Sequence, residues 1–246
     1  MYKSIEGWVS PNLNMPMNIA TYGHAGRTLL MFPTAAADFL EHERFLMMDV
    51  LEPWLNAGRI RIFSVGGINR EGWLNRDCHP KVKGLLQQGF NRYIAEEVVP
   101  YIWHKTGGDR HILTVGASLG AFHAANQLFR RPDLFDGTIA MSGGYDIRDY
   151  YESYGYHDEN IYFNNPAEYL PNLWDDYYLP MLQRKRHIFL LTGSGNYEKP
   201  QATIGLAHTL ASKGIPHHLD VWGHDMPHDW PTWRAMMQHY VGAYLS

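Results

Sequence analysis

The sequence predicts an α/β fold in which a mostly parallel central sheet carries helices on both faces and one aromatic-rich insertion interrupts the pattern. Three observations predict it. Short apolar runs of strand length alternate with longer segments of helical period, the signature of repeated strand–helix units. No internal repeat, low-complexity tract or Gly/Ser/Pro-rich linker divides the 246 residues, a length that one open sheet with a well-buried core can use whole. A single stretch, about 143–186, breaks the rhythm. The chain therefore reads as one domain over 1–246 with an insertion at about 143–186.

In order, the apolar runs are Met17–Tyr22, Thr28–Phe32, Ile60–Val65, His111–Val115, Thr138–Met141, His187–Thr192 and His218–Trp222. Helical patterns lie at roughly Phe39–Leu55, Leu85–Trp103, Leu119–Phe129, Ala202–Ser212 and Trp230–Tyr244. No helix separates the first two runs, so an antiparallel start is expected before the strand–helix units begin. The insertion is crowded with Tyr and Trp, and Pro166, Pro171 and Pro180 exclude one long helix. Excursions that follow strands at the carboxyl edge of an open α/β sheet overhang the ligand crevice, so this one is read as a cap. The competing reading is a structural insertion whose aromatics pack on one another.

Composition narrows the function classes. The formal net charge is −4, which disfavours nucleic acid or an anionic membrane surface as a partner. Cys78 is the only cysteine, so no intramolecular disulfide can form, which fits a reducing compartment. The first 18 residues hold no apolar core of signal-peptide length, and no apolar run is long enough to span a bilayer. A cytoplasmic location is the expectation.

The chemistry-bearing segment is Gly116-Ala117-Ser118-Leu119-Gly120, a G-x-S-x-G match between an apolar run and a helical pattern. A strand-to-helix turn this sharp forces the serine into strained backbone angles. Side chains two residues away on either side would collide, hence the glycines. The hydroxyl then stands clear, and the Leu119 amide points to where negative charge develops on a substrate carbonyl. A plain helix cap by Ser118 is the bland alternative. A serine nucleophile needs a base titrating near neutral pH, and in this arrangement the chain order is Ser, acid, His.

The connection after the last apolar run offers His224 and His228. His228 is preferred, because it sits just before a helix start marked by Pro231. The acid candidates are Glu198, the only carboxylate in the loop Gly193–Glu198, and Asp146 in the loop after the preceding run; Glu198 is favoured. A second oxyanion amide is expected from the small-residue loop after Phe32, at Thr34 or Ala35. No histidine spacing matches a familiar zinc pattern, so no metal site is expected. Tyr145, Trp73 and Trp222 are candidates for lining an apolar or sugar-binding cleft.

These residues resemble the esterase family of the α/β-hydrolase superfamily, a group similar to S-formylglutathione hydrolases, feruloyl and enterochelin esterases and mycolyltransferases. The resemblance runs through most of the chain and rests on LLMFPTAAADF, GASLGAFHAAN, HIFLLTGSGNYE and above all PHDWPTWR. Family members carry a GHDWxxW-like stretch whose histidine is catalytic, and that histidine falls on His228. Here Pro227 stands where glycine is usual, and Gly223-His224-Asp225 just upstream carries similar letters. The family's acid follows a strand and a TG dipeptide, matching Thr192-Gly193, although this loop runs longer and Glu198 stands where Asp is common. The resemblance implies an α/β-hydrolase fold and a serine esterase that acts on a small ester through an acyl-enzyme, with no cofactor. The rival readings are an acyltransferase on the same scaffold and a non-catalytic esterase-like binding module.

Overall fold

The computed structural model describes residues 1–245. Eight strands are found there: β1 (Lys3–Ser10), β2 (Met15–Tyr22), β3 (Arg27–Phe32), β4 (Ile60–Val65), β5 (Ile112–Ala117), β6 (Gly137–Met141), β7 (His187–Thr192) and β8 (His218–Val221). They form one sheet in the order β1-β2-β4-β3-β5-β6-β7-β8. β1 pairs with β2, and β2 with β4, antiparallel; every other pairing is parallel. Strands buried on both faces read as continuous apolar runs, and that is why β3, β5, β6 and β7 stood out in the sequence.

The helices are α1 (Glu41–Arg44), α2 (Met47–Asn56), α3 (Pro80–Arg92), α4 (Val99–Thr106), α5 (Leu119–Arg130), α6 (Glu159–Tyr162), α7 (Pro166–Tyr169), α8 (Tyr178–Gln183), α9 (Pro200–Ser212) and α10 (Trp230–Tyr244). One sheet face packs on α3, α4, α5 and α9, through Phe90, Ile102, Ala124 and Leu210. The other packs on α2 and α10, through Leu51, Leu55, Met236 and Tyr240.

Three local expectations change. β1 was not anticipated: it is an edge strand in which Ile5 and Val9 are 49% and 64% exposed, so no apolar stripe marks it. The single helix expected over Phe39–Leu55 is two, because Leu46 takes a left-handed φ of 61° between them. The helix expected at Leu85–Trp103 starts earlier, at Pro80, where the His79 side chain accepts from the Lys81 N–H, and it passes through a π turn at Tyr93–Val98.

The inserted segment is a chain of short turns and helices, packed down on the body. Ile147, Tyr151 and Ile161 cluster with Trp73, Leu119 and Phe122, while Tyr169, Leu170 and Leu182 join the main core. Among the described residues no helix is long and apolar enough to cross a membrane.

Candidate active site

β5 stops at Ala117 and α5 starts at Leu119, leaving Ser118 to turn the corner alone at φ 56° and ψ −124°. A non-glycine residue there is strained and persists only where its surroundings hold it. The glycines show what holds it. A Cβ on Gly116 would lie 2.1 Å from the Gly120 carbonyl oxygen, and one on Gly120 would lie 2.6 Å from the carbonyl oxygens of both Phe32 and Pro33. Strand, helix and the end of β3 therefore meet at van der Waals limits. The Ser118 N–H donates to the Met141 carbonyl at 2.9 Å.

His228, 110 positions from Ser118 in the chain, comes to this corner. Its Nε2 lies 2.9 Å from Ser118 Oγ and its Nδ1 3.3 Å from Glu198 Oε2. The ring stands edge-on to Trp233 at 5.0 Å, and the adjacent Asp229 caps α10 by accepting from the Trp230 N–H. The His228 N–H donates to the Asn196 carbonyl at 2.9 Å, tying its loop to the one that carries Glu198. The two loops mesh tightly: a Cβ on Gly193 would lie 2.1 Å from the Met226 carbonyl oxygen.

The Glu198 side chain is 1% exposed and richly bonded. Its Oε1 accepts from Ser142 Oγ at 2.5 Å and the Gly193 N–H at 3.4 Å, and its Oε2 from Thr192 Oγ1 at 3.3 Å. Ser142, itself at φ 53°, accepts in turn from the Trp233 indole N–H at 3.0 Å. Burial works to raise the Glu198 pKa, but the bonds from His228 and Ser142 outweigh it and hold the carboxyl below its ordinary value. The group is thus an anion at neutral pH, set against the imidazole.

The sequence alternatives separate by position. His224 is exposed and bonds only to the Ser194 carbonyl. Asp146 is tied to Arg148 and Asn165, with no bond to His228. Thr34 cannot offer its amide to a substrate: its N–H and hydroxyl both donate to the buried Glu41 carboxylate, at 2.7 and 2.6 Å. The N–H groups of Ala35 and Leu119 donate to no protein acceptor. The Ala35 loop is pinned from behind by Asn69, which donates to the carbonyls of Thr34 and Ala35 and is held by His123 at 2.7 Å.

A cleft of about 470 Å³ opens at Ser118, with Leu119, Tyr145, Tyr150 and Asp146 in its lining. Two of the expected lining residues are elsewhere. Trp73 is 1% exposed, with its indole N–H on Gln87, and lies behind Leu119 in an apolar cluster. Trp222 donates to Asp220 and packs against His239 of α10. Sequence reasoning missed Asp149, Tyr197 and Lys199 of the lining and the supports Glu41, Asn69 and Ser142. Nothing in a linear pattern ties these residues to Ser118. Among the described residues no group of three or more His, Cys, Asp or Glu side chains could hold a metal ion.

No protein-family model and no curated protein matches the sequence. Solved structures do match. The chain is similar to a ferulic acid esterase at 18% identity and a TM-score of 0.73, over 97% of this chain and 95% of that one. It is similar to an S-formylglutathione hydrolase from Agrobacterium tumefaciens at 11% identity and a TM-score of 0.72, over 98% and 93%. A fluorophosphonate-binding serine hydrolase of Staphylococcus aureus matches at 13% identity and a TM-score of 0.66, over 100% and 98%. The chain has the α/β-hydrolase fold.

Proposed function

We propose that this chain is a serine-dependent carboxylic ester hydrolase. The observation that carries the reading is the 2.9 Å approach of His228 Nε2 to the hydroxyl of a serine held at φ 56° on a strand–helix corner. Ser118 Oγ attacks the ester carbonyl as His228 Nε2 takes its proton, and Glu198 fixes the ring through Nδ1–H and stabilises the imidazolium. The free N–H groups of Leu119 and Ala35 receive the oxyanion, Leu119 with the added help of the α5 N-terminus. Collapse of the tetrahedral intermediate expels the alcohol, protonated by His228, and leaves an acyl-serine. Water, deprotonated by His228, then releases the acid. The chain acts as one α/β-hydrolase domain, and its 143–186 excursion caps the cleft; six of its residues, Gly143, Gly144, Tyr145, Asp146, Asp149 and Tyr150, line the same space as Ser118.

The test is labelling with a fluorophosphonate probe alongside turnover of a nitrophenyl ester series. Labelling of Ser118 in the folded protein is expected, with a loss of at least about a thousandfold in turnover for Ser118→Ala. Retained turnover in that variant overturns the assignment. Absence of labelling in folded protein favours a binding module.

A further inference from the structure

A second cavity, of about 340 Å³, opens between α3, the C-terminal end of α5 and the inserted segment. It is separate from the Ser118 cleft. Ser118 precedes the first residue of α5 and Arg130 is the last, so the length of that helix, about 18 Å, lies between them. The size suits a small organic molecule.

Its chemistry is set by Arg130, which is half-buried and has no carboxylate partner. One Nη1–H donates to Asn164 Oδ1 at 2.7 Å, an oxygen that already accepts from Asn91 and Asn126. The other guanidinium N–H groups have no protein acceptor, yet none of their nitrogens is sealed from solvent. The neighbouring Arg131 is the contrast, because Asp133 meets it with two bonds of 2.8 and 2.7 Å. Arg92, exposed in the lining of the cavity, also makes no ion pair. The one carboxylate in the lining, Glu96, bonds to Asn12 and to neither arginine.

A half-buried guanidinium without a counter-ion forgoes part of its hydration with no charge to replace it. The negative end of α5 offsets part of that cost but supplies no acceptor in the plane of the fork. That plane matches a carboxylate held by two parallel bonds. Beside amides such as Gln88 and Asn172, the lining includes Phe129, Tyr162, Tyr178 and Leu173, whose flat and apolar surface suits a ring and not a compact inorganic ion. We propose that this cavity is a second binding site, for a small aromatic carboxylate, in which Arg130 takes the carboxylate and Arg92 adds charge at the mouth. The site stands independently of the ester-hydrolase reading.

Calorimetric titration of the full chain with benzoate, benzamide and inorganic phosphate tests it. Benzoate is expected to bind, with benzamide and phosphate each weaker by at least about tenfold. Arg130→Gln should weaken benzoate by about tenfold or more, Arg92→Gln by less, and Lys199→Ala, which removes the cation lining the Ser118 cleft, should change nothing. Arg130→Lys, which keeps the charge and loses the fork, serves where Arg130→Gln does not fold, and it too should weaken benzoate. The proposal is overturned by absence of benzoate binding at about 10 mM, or by an affinity that follows Lys199 instead of Arg130. It is equally overturned by phosphate or benzamide binding as tightly as benzoate, or by an affinity indifferent to Arg130→Gln or Arg130→Lys.

Discussion

The two flanks of the Ser118 cleft are built by different means. On one, the loops after β7 and β8 interlock through backbone: Gly193 and Gly195 lie against Met226, and the Gly195 N–H donates to its carbonyl. On the other, the 143–186 excursion reaches the cleft through side chains on short turns, and a Cβ added at Gly144 would meet nothing within 4 Å. The contrast teaches where tolerance lies. The proposed proton transfer between Ser118 and His228 needs positions fixed to a fraction of an ångström, and backbone interlock is suited to supply that. Contact with a substrate body asks only for suitable surface, which side chains on a loop provide.

Removing the charge on the interlocked flank should have the largest effect. Glu198→Gln keeps the shape but loses the anion that orients His228, and turnover should fall by about 10²–10⁴-fold with KM little changed. A drop of less than about threefold would show that the imidazole is positioned by Trp233 and the backbone alone.

Next in size comes the glycine pair. Gly193→Ala drives a methyl into the Met226 carbonyl and should cost about 1–3 kcal/mol in denaturant unfolding, whereas Gly144→Ala should be close to neutral. Equal costs would erase the distinction between the flanks.

The smallest effect concerns two buried histidines of the body. His42 and His123 are buried, and burial pushes their pKa values down to about 4 and about 3. In the unfolded chain each titrates at about 6.5, so below that value the unfolded state binds protons that the folded state refuses. Their contribution to stability is whole above that value and declines as pH falls through it, down to the folded pKa. Between about pH 7 and about pH 5.5 each should cost about 1 kcal/mol, and His123→Gln should flatten the pH dependence of unfolding by that amount. An unchanged slope would mean that other groups govern acid sensitivity.

Much of the architecture was legible because its signals are local. Strands buried on both faces announce themselves by apolar runs, and a corner that excludes side chains announces itself by Gly116 and Gly120. Exposed β1 sent no such signal, and Leu46 splits α1 from α2 without any glycine to mark the left-handed turn. At the site, Thr34 and Ala35 were indistinguishable in sequence, since what separates them is a carboxylate seven residues on that folds back to take the Thr34 amide. Trp73 and Trp222 looked like cleft residues by composition, but their indole N–H groups are committed to Gln87 and Asp220.

The sequence by itself determined the succession of the inner strands and the main helices, the corner that bears Ser118 and the short lists of residues expected beside it. All of these depend on periodicity and on steric demands among near neighbours. Only the tertiary structure decided which member of each list stands where: His228 and not His224 lies beside the Ser118 hydroxyl, Glu198 and not Asp146 meets its ring, and Thr34 and not Ala35 gives its amide to Glu41. It also set Arg130 against a cavity without a counter-ion. Those choices rest on contacts between residues far apart in the chain, whose distances are fixed when the sheet is assembled and by nothing shorter in range.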